Sequence, residues 1–311
     1  MHYSPAPLHI PDGFLSLVVS ATCWLITAVV VSVAVSRTNR SLGEKQVPLM
    51  GVMAAFIFAA QMINFPVAGG TSGHLLGGTL AAITLGPWAG MLVMTAVIAV
   101  QGLLFQDGGL LVMGANILNM GLLTVAVGYG LYRSVIGRSR GTKLAVAGVA
   151  AWLSVMTGAL ATAIQLWLSG TARVDIVMPA MLGVHALIGI GEALITVAAL
   201  GFILRTRPDL LGEGSASTQG GRGWVVAGVV ISLIVVLLSP FGSGNPDGLE
   251  RVAIDLGFIA DEQDPSFVIF NYAIITGAIG VSVVFILLVL IARIIGRLPG
   301  SPTVDAPPPK K

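Results

Sequence analysis

Long uncharged apolar runs, separated by short polar segments, dominate this chain. Nine can be read, at 14–36, 47–64, 75–86, 87–105, 110–133, 144–169, 178–204, 224–241 and 267–292. Several approach or exceed the ~20 residues that cross a bilayer as a helix. The third and fourth runs are continuous in hydropathy and are divided at Gly86-Pro87, because proline lacks an amide donor and clashes with the preceding turn. The run 75–86 is too short to cross alone and reads as a broken or partly buried helix. The pattern predicts an all-α polytopic membrane protein of nine spans.

Charge placement orients it. With the N-terminus outside and the C-terminus cytoplasmic, the inside segments hold or border every Lys and Arg except Arg173 and Arg251, of 16 in total. Such a bias marks cytoplasmic loops. Fusing the third and fourth runs would put the basic cluster at Arg133, Arg138, Arg140 and Lys143 outside, so parity also favours the division. Residues 1–13 lack Lys and Arg while Arg37 and Arg40 follow the first run, the reverse of a signal peptide's charge order, so the first run reads as a retained span.

Composition narrows the class. The chain is 55% hydrophobic and 10% charged, with a mean hydropathy of +0.93. Soluble domains carry about 25% charged residues, which excludes a soluble enzyme, a disordered protein and a nucleic-acid binder. Cys23 is the single cysteine, so there is no disulfide framework and no CxxC motif. The Gly/Ser-rich stretch 205–223 reads as a flexible cytoplasmic linker. It divides a seven-span module, 8–204, from a two-span unit, 224–297, and a Pro-rich tail, 298–311, is expected to be disordered. The outside loop of the second unit, 242–266, carries Asp247, Glu250, Asp255, Asp261, Glu262 and Asp264 against Arg251 alone. It reads either as a gatherer of cations or as a solvated loop.

Candidate chemistry gathers at the outside ends of the spans. The segments 61–79 and 105–119 are rich in glycine, and irregular backbone near a membrane is tolerated around a protein-lined cavity. Without a GK[ST] string, a phosphate loop has no support. His74 stands at the mouth of that cavity, as a metal ligand or as a histidine bonded to a loop carbonyl. Its natural partner as a ligand is His9, also outside. Gln61, Asn64, Asn116 and Asn119 flank the cavity, either bracing the histidine loop or joining helices; bracing is preferred for Gln61 and Asn64. His185 and Glu192, seven apart, share one face of the seventh span and read as cavity lining or as a buried hydrogen-bonded pair.

The strings HIPDGFLS (9–16), QMINFPVAGGTSGHLLGG (61–78), MGANILNMG (113–121) and GVHALIGIGEALIT (183–196) resemble the CbiM/NikM substrate-capture proteins of energy-coupling-factor cobalt and nickel transporters. NPDGLERVA (245–253) is similar to the PDGLE segment of their small membrane partner. The resemblance implies a capture module fused to that partner, importing Ni²⁺ or Co²⁺ as cargo with no cofactor. It further implies a coupling transmembrane subunit and two ATPase subunits as separate chains, in the cytoplasmic membrane. Cobalt would feed cobalamin synthesis.

In that family an N-terminal Met-His chelates the metal through the α-amine, an amide nitrogen and an imidazole, and the histidine of the SGHLLGG string, here His74, completes a square. Four nitrogens in a plane favour Ni²⁺ slightly over Co²⁺, and ligation by deprotonated groups predicts weaker uptake in acid. Here the pattern departs: His9 follows Leu8 and the leader MHYSPAP. Leu8 is expected to be an alternative start read as methionine, supplying its α-amine; removal of the leader, or chelation by Met1-His2, are the other readings. Two rival functions remain. A secondary transporter would need coupling charges, yet Glu192 is the sole acid within a span. A membrane metalloenzyme is opposed by the lack of an HExxH string.

Overall fold

The computed structural model describes residues 9–40, 43, 46–211, 223–258 and 273–297. His2, Leu8, most of the expected linker, the acids Asp261, Glu262 and Asp264, and the tail fall outside them.

Helices stand at all nine apolar runs. They are α1 (Leu17–Asn39), α2 (Gln46–Gln61), α3 (Gly78–Leu85), α4 (Pro87–Phe105), α5 (Met113–Asn116) continuing to α6 (Thr124–Tyr132), α7 (Arg140–Leu168), α8 (Val174–Thr206), α9 (Gly223–Leu238) and, beyond α10 (Gly248–Leu256), α11 (Ala273–Ile295). Among the described residues seven helical stretches are long and apolar enough to cross a membrane; α2, at 16 residues, and α3, at 8, are shorter. Local signals fix the ends. Ser16 and Ser139 accept from the backbone N–H groups of Val19 and Thr142, capping α1 and α7. Gly86, at φ 80° and ψ 170°, makes the break after α3, and Pro87 takes the first position of α4.

The third run differs from a plain helix. Residues Leu75–Gly77 precede α3 without helical structure, and the far end of α3 meets the start of α2, where Gln46 Nε2 donates to the Leu85 carbonyl at 3.2 Å. Packing against α7 and α6 holds the short helix in place. Thr79 on α3 donates to Ser154 on α7, and Gly78 lies against Thr124. A methyl at Gly78 would collide with Thr124 Oγ1 and come within 3.2 Å of the Val125 backbone nitrogen. Gly78→Ala is therefore expected to cost about 1–3 kcal/mol, read as a lower thermal midpoint of the purified protein in detergent.

One apolar core joins α2, α3 and α4 to α11, through Met50, Phe58, Leu80, Val93 and Met94 with Val281, Val284 and Leu288. A second core brings Ile10 and Leu15, Val112 and Ala115, Ala159 and Leu166 of α7, and Met181 of α8 against Leu249 and Val252 of α10. The second unit thus contributes to both cores. The apolar pattern does not mark α10, although NPDGLE carries a capping signature. Asp247 accepts from the Glu250 backbone, and Glu250 accepts from the Asp247 backbone.

Candidate metal-binding cavity

A two-stranded hairpin, β1 (Phe65–Val67) with β2 (Thr71–Gly73), delivers His74 directly after its second strand. The hairpin loop supplies two consecutive left-handed glycines, Gly69 and Gly70. From His74 onward the chain is held on several sides. Gln61 Nε2 donates to the Leu76 carbonyl at 2.8 Å, and Gln101 Nε2 braces Gln61 Oε1 at 2.8 Å. The Glu192 carboxyl, fully buried on α8, accepts from the Leu76 N–H at 2.6 Å and the Gly77 N–H at 2.9 Å.

The segment carrying His9 is held as firmly. Asn116 pairs both faces of Ile10, accepting from its N–H and donating to its carbonyl, each at 3.0 Å. The Gly109 N–H donates to that same carbonyl at 2.9 Å. The Asp12 carboxyl accepts from the N–H groups of Leu110, Leu111 and Val112 at 2.9–3.2 Å, at the start of α5. Two segments nearly a hundred positions apart are thereby tied together by main-chain recognition rather than by apolar contact alone.

Between these segments lies a cavity of about 70 Å³, with walls that include His9, His74, His185, Asn116, Asn119 and Asp247. That leaves room for a bare ion with a few small ligands. The His9 and His74 rings stand with centroids 6.0 Å apart and planes at 63°. An ion ~2 Å from one nitrogen of each ring spans that separation. In all three histidines a carbonyl takes the Nδ1 proton: Asp107 for His9 at 3.1 Å, Leu75 for His74 at 3.0 Å, and Met181 for His185 at 2.8 Å. A carbonyl on one ring nitrogen fixes the tautomer whose lone pair is on the other, the arrangement typical of a metal-ligating imidazole. His9 Nε2 is buried with no hydrogen-bond partner. Closing a six-membered chelate ring with the His9 amide nitrogen would take Nδ1, which here donates to Asp107. Among the described residues no three His, Cys, Asp or Glu side chains converge on one point closely enough to hold an ion. A His9–His74 pair would need further donors.

The flanking residues separate. Asn116 and Asn119 line the cavity. Asn119 sits in a π-helical turn, Ile117–Leu123, and exchanges two hydrogen bonds with Gln165 on α7, at 2.7 and 2.8 Å. Inserted π turns recur at functional sites, and nothing in the hydropathy pattern marks this one. Gln61 and Glu192 lie outside the cavity wall and grip the His74 segment from behind. Asn64 is absent from the wall; its carbonyl accepts from the Ser243 N–H of the second unit at 2.7 Å.

Asp247 is the residue that sequence reading placed only in a diffuse acidic loop. It is 5% exposed and lines the cavity together with the histidines. Burial pushes its carboxyl up to about 8; the Glu250 and Asp107 charges add to the rise, while the backbone N–H groups of Glu250 and Leu249 oppose it. The capping box in NPDGLE was the available signal that this acid is structured.

Comparison with known proteins adds identity to this geometry. The model of the CbiM family, described as cobalt uptake substrate-specific transmembrane region, matches residues 9–210. A putative fused nickel transport protein NikMN of Archaeoglobus fulgidus is 33% identical over 90% of this chain and 96% of its own. A fused nickel transport protein NikMN of Rhodobacter capsulatus is 30% identical over 73% of this chain and 71% of its own. A crystal structure of a truncated transition metal transporter is 36% identical, covers 63% of this chain and 98% of its own, and superposes with a TM-score of 0.58.

Proposed function

The chain belongs to the CbiM family of cobalt uptake substrate-specific transmembrane regions, and from that premise we propose that it is the capture subunit of an energy-coupling-factor importer of Ni²⁺ or Co²⁺, fused to its two-span partner. It is a multi-pass membrane protein of metal transport, not an enzyme. The observation that carries the finer reading is the cavity in which His9 and His74, 65 positions apart, face each other with carbonyls on both Nδ1 atoms. Such a cavity is built for a cation that prefers imidazole nitrogen, which suits divalent late transition metals better than Mg²⁺ or Ca²⁺.

In this reading the site faces outward in the cytoplasmic membrane. The metal exchanges water for nitrogen donors there, and separate ATPase subunits, acting through a coupling membrane subunit, drive inward release. Nickel is favoured over cobalt if the N-terminal amine and an amide nitrogen complete a square, which requires His9 Nδ1 to leave the Asp107 carbonyl and turn to the metal. The seven-span module covers 8–204 and the partner unit 224–297.

The test is uptake of ⁶³Ni²⁺ and ⁵⁷Co²⁺ by cells expressing the chain with and without its coupling and ATPase subunits. Uptake that requires an ATPase competent in hydrolysis is the expected result. Uptake driven by an ion gradient and indifferent to the ATPase would make the chain a secondary transporter.

A further inference from the structure

The second unit does more than pack beside the first. Ser72, two residues before His74, donates its N–H to the Pro246 carbonyl at 2.8 Å and its hydroxyl to the Asn245 carbonyl at 2.7 Å. The next residues, Asp247 and Gly248, enter the cavity wall at the N-terminus of α10. Gly248 sits so close to α8 that an added methyl would lie 2.6 Å from Ile188 Cδ1 and 3.1 Å from His185 Nε2. Only glycine lets the helix end approach this far.

Electrostatics then poses a problem. The cavity offers neutral imidazoles and amides, and the N-terminus of α10 carries positive partial charge. A divalent cation held there without a negative group would be strongly disfavoured. Among the described residues of the wall, Asp247 is the sole carboxylic acid. Its Oδ1 is engaged by the Glu250 N–H at 2.7 Å, so the carboxyl is held in place by the capping box. The unpartnered Nε2 of His9 belongs to the same wall.

We propose that Asp247, from its place in the cavity wall, supplies the counter-charge of the captured cation, so that the metal site is completed by the fused second unit. The proposal rests on reading the cavity as the metal site. It gives the fusion a chemical purpose: the cavity and its charge are shared between two units that interlock at Ser72.

Asn caps helices as well as Asp, so Asp247→Asn removes the charge and keeps the cap. The purified full chain, Asp247→Asn, Asp247→Glu and His74→Ala are each titrated with Ni²⁺ and with Co²⁺. Asp247→Asn is expected to bind roughly 10–100-fold more weakly, with Asp247→Glu recovering part of the loss. Binding by Asp247→Asn within twofold of wild type, while His74→Ala fails, would overturn the inference and leave the capture reading standing. Equal losses in the Asn and Glu variants would also overturn it, since charge would then not be the cause. Unchanged binding in both Asp247→Asn and His74→Ala would remove the cavity reading itself.

Discussion

Replacing His74 with alanine is expected to weaken Ni²⁺ and Co²⁺ binding by at least about 100-fold, more than loss of a residue that only braces a ligand. The side chain is 7% exposed and stands opposite His9. A hydrogen bond such as the one from its Nδ1 to the Leu75 carbonyl is worth only about 0.5–1.5 kcal/mol. The Leu76 and Gly77 backbone stays anchored by Glu192 and Gln61 in the variant. Folding should therefore survive and binding should not. Isothermal titration separates the two, together with thermal unfolding with and without metal. At a metal concentration 100 times the dissociation constant, binding stabilises the wild-type chain by about 2.7 kcal/mol, and the variant should show no such shift. Undiminished affinity in His74→Ala would sink the site.

Much of this architecture is written in the runs of apolar residues, and its limits are physical. Hydropathy marks the nine runs, and Gly86-Pro87 marks the break because both residues act on the backbone locally. The 3.6-residue period puts His185 and Glu192 on one face; Glu192 does turn toward the 72–77 segment, and His185 lines the cavity beside His74. What each meets there was not legible. A membrane helix is apolar toward lipid and toward its neighbours alike, so its rotation leaves little trace in hydropathy. Asn64 shows the cost: adjacent in sequence to the hairpin, it bonds Ser243 through its backbone instead of bracing the cavity. Asp247 shows the converse. It reaches the cavity through a contact between Ser72 and residues more than 170 positions away, and no local pattern encodes such a pairing. The Nδ1 bonds of the histidines depend likewise on carbonyl positions that only the folded chain defines.

Glu192→Gln is expected to produce the second large effect, without touching the metal at all. The carboxyl accepts two adjacent N–H groups at the start of α3, where the helix end favours negative charge. The amide keeps the shape but turns one acceptor into a donor, so a buried N–H loses its partner at a cost of about 1–3 kcal/mol. That strain falls on residues 75–77, and the relief is for the segment to move, taking His74 out of register with His9. Metal affinity should drop roughly 10–100-fold, while the helix α8 around Glu192, packed along α7, stays formed. Hydrogen exchange supplies the local readout: peptides covering 74–78 should exchange faster, and those from α7 should not. If exchange accelerates at 74–78 while affinity is unchanged, the anchor does not set the position of His74. If protection is lost throughout the bundle, Glu192 serves global stability, and its hold on the metal loop is incidental. Loss confined to the loop and matched by weaker binding would identify α8 as the element that sets where the ligand stands, and hence as the element whose movement could release the cargo.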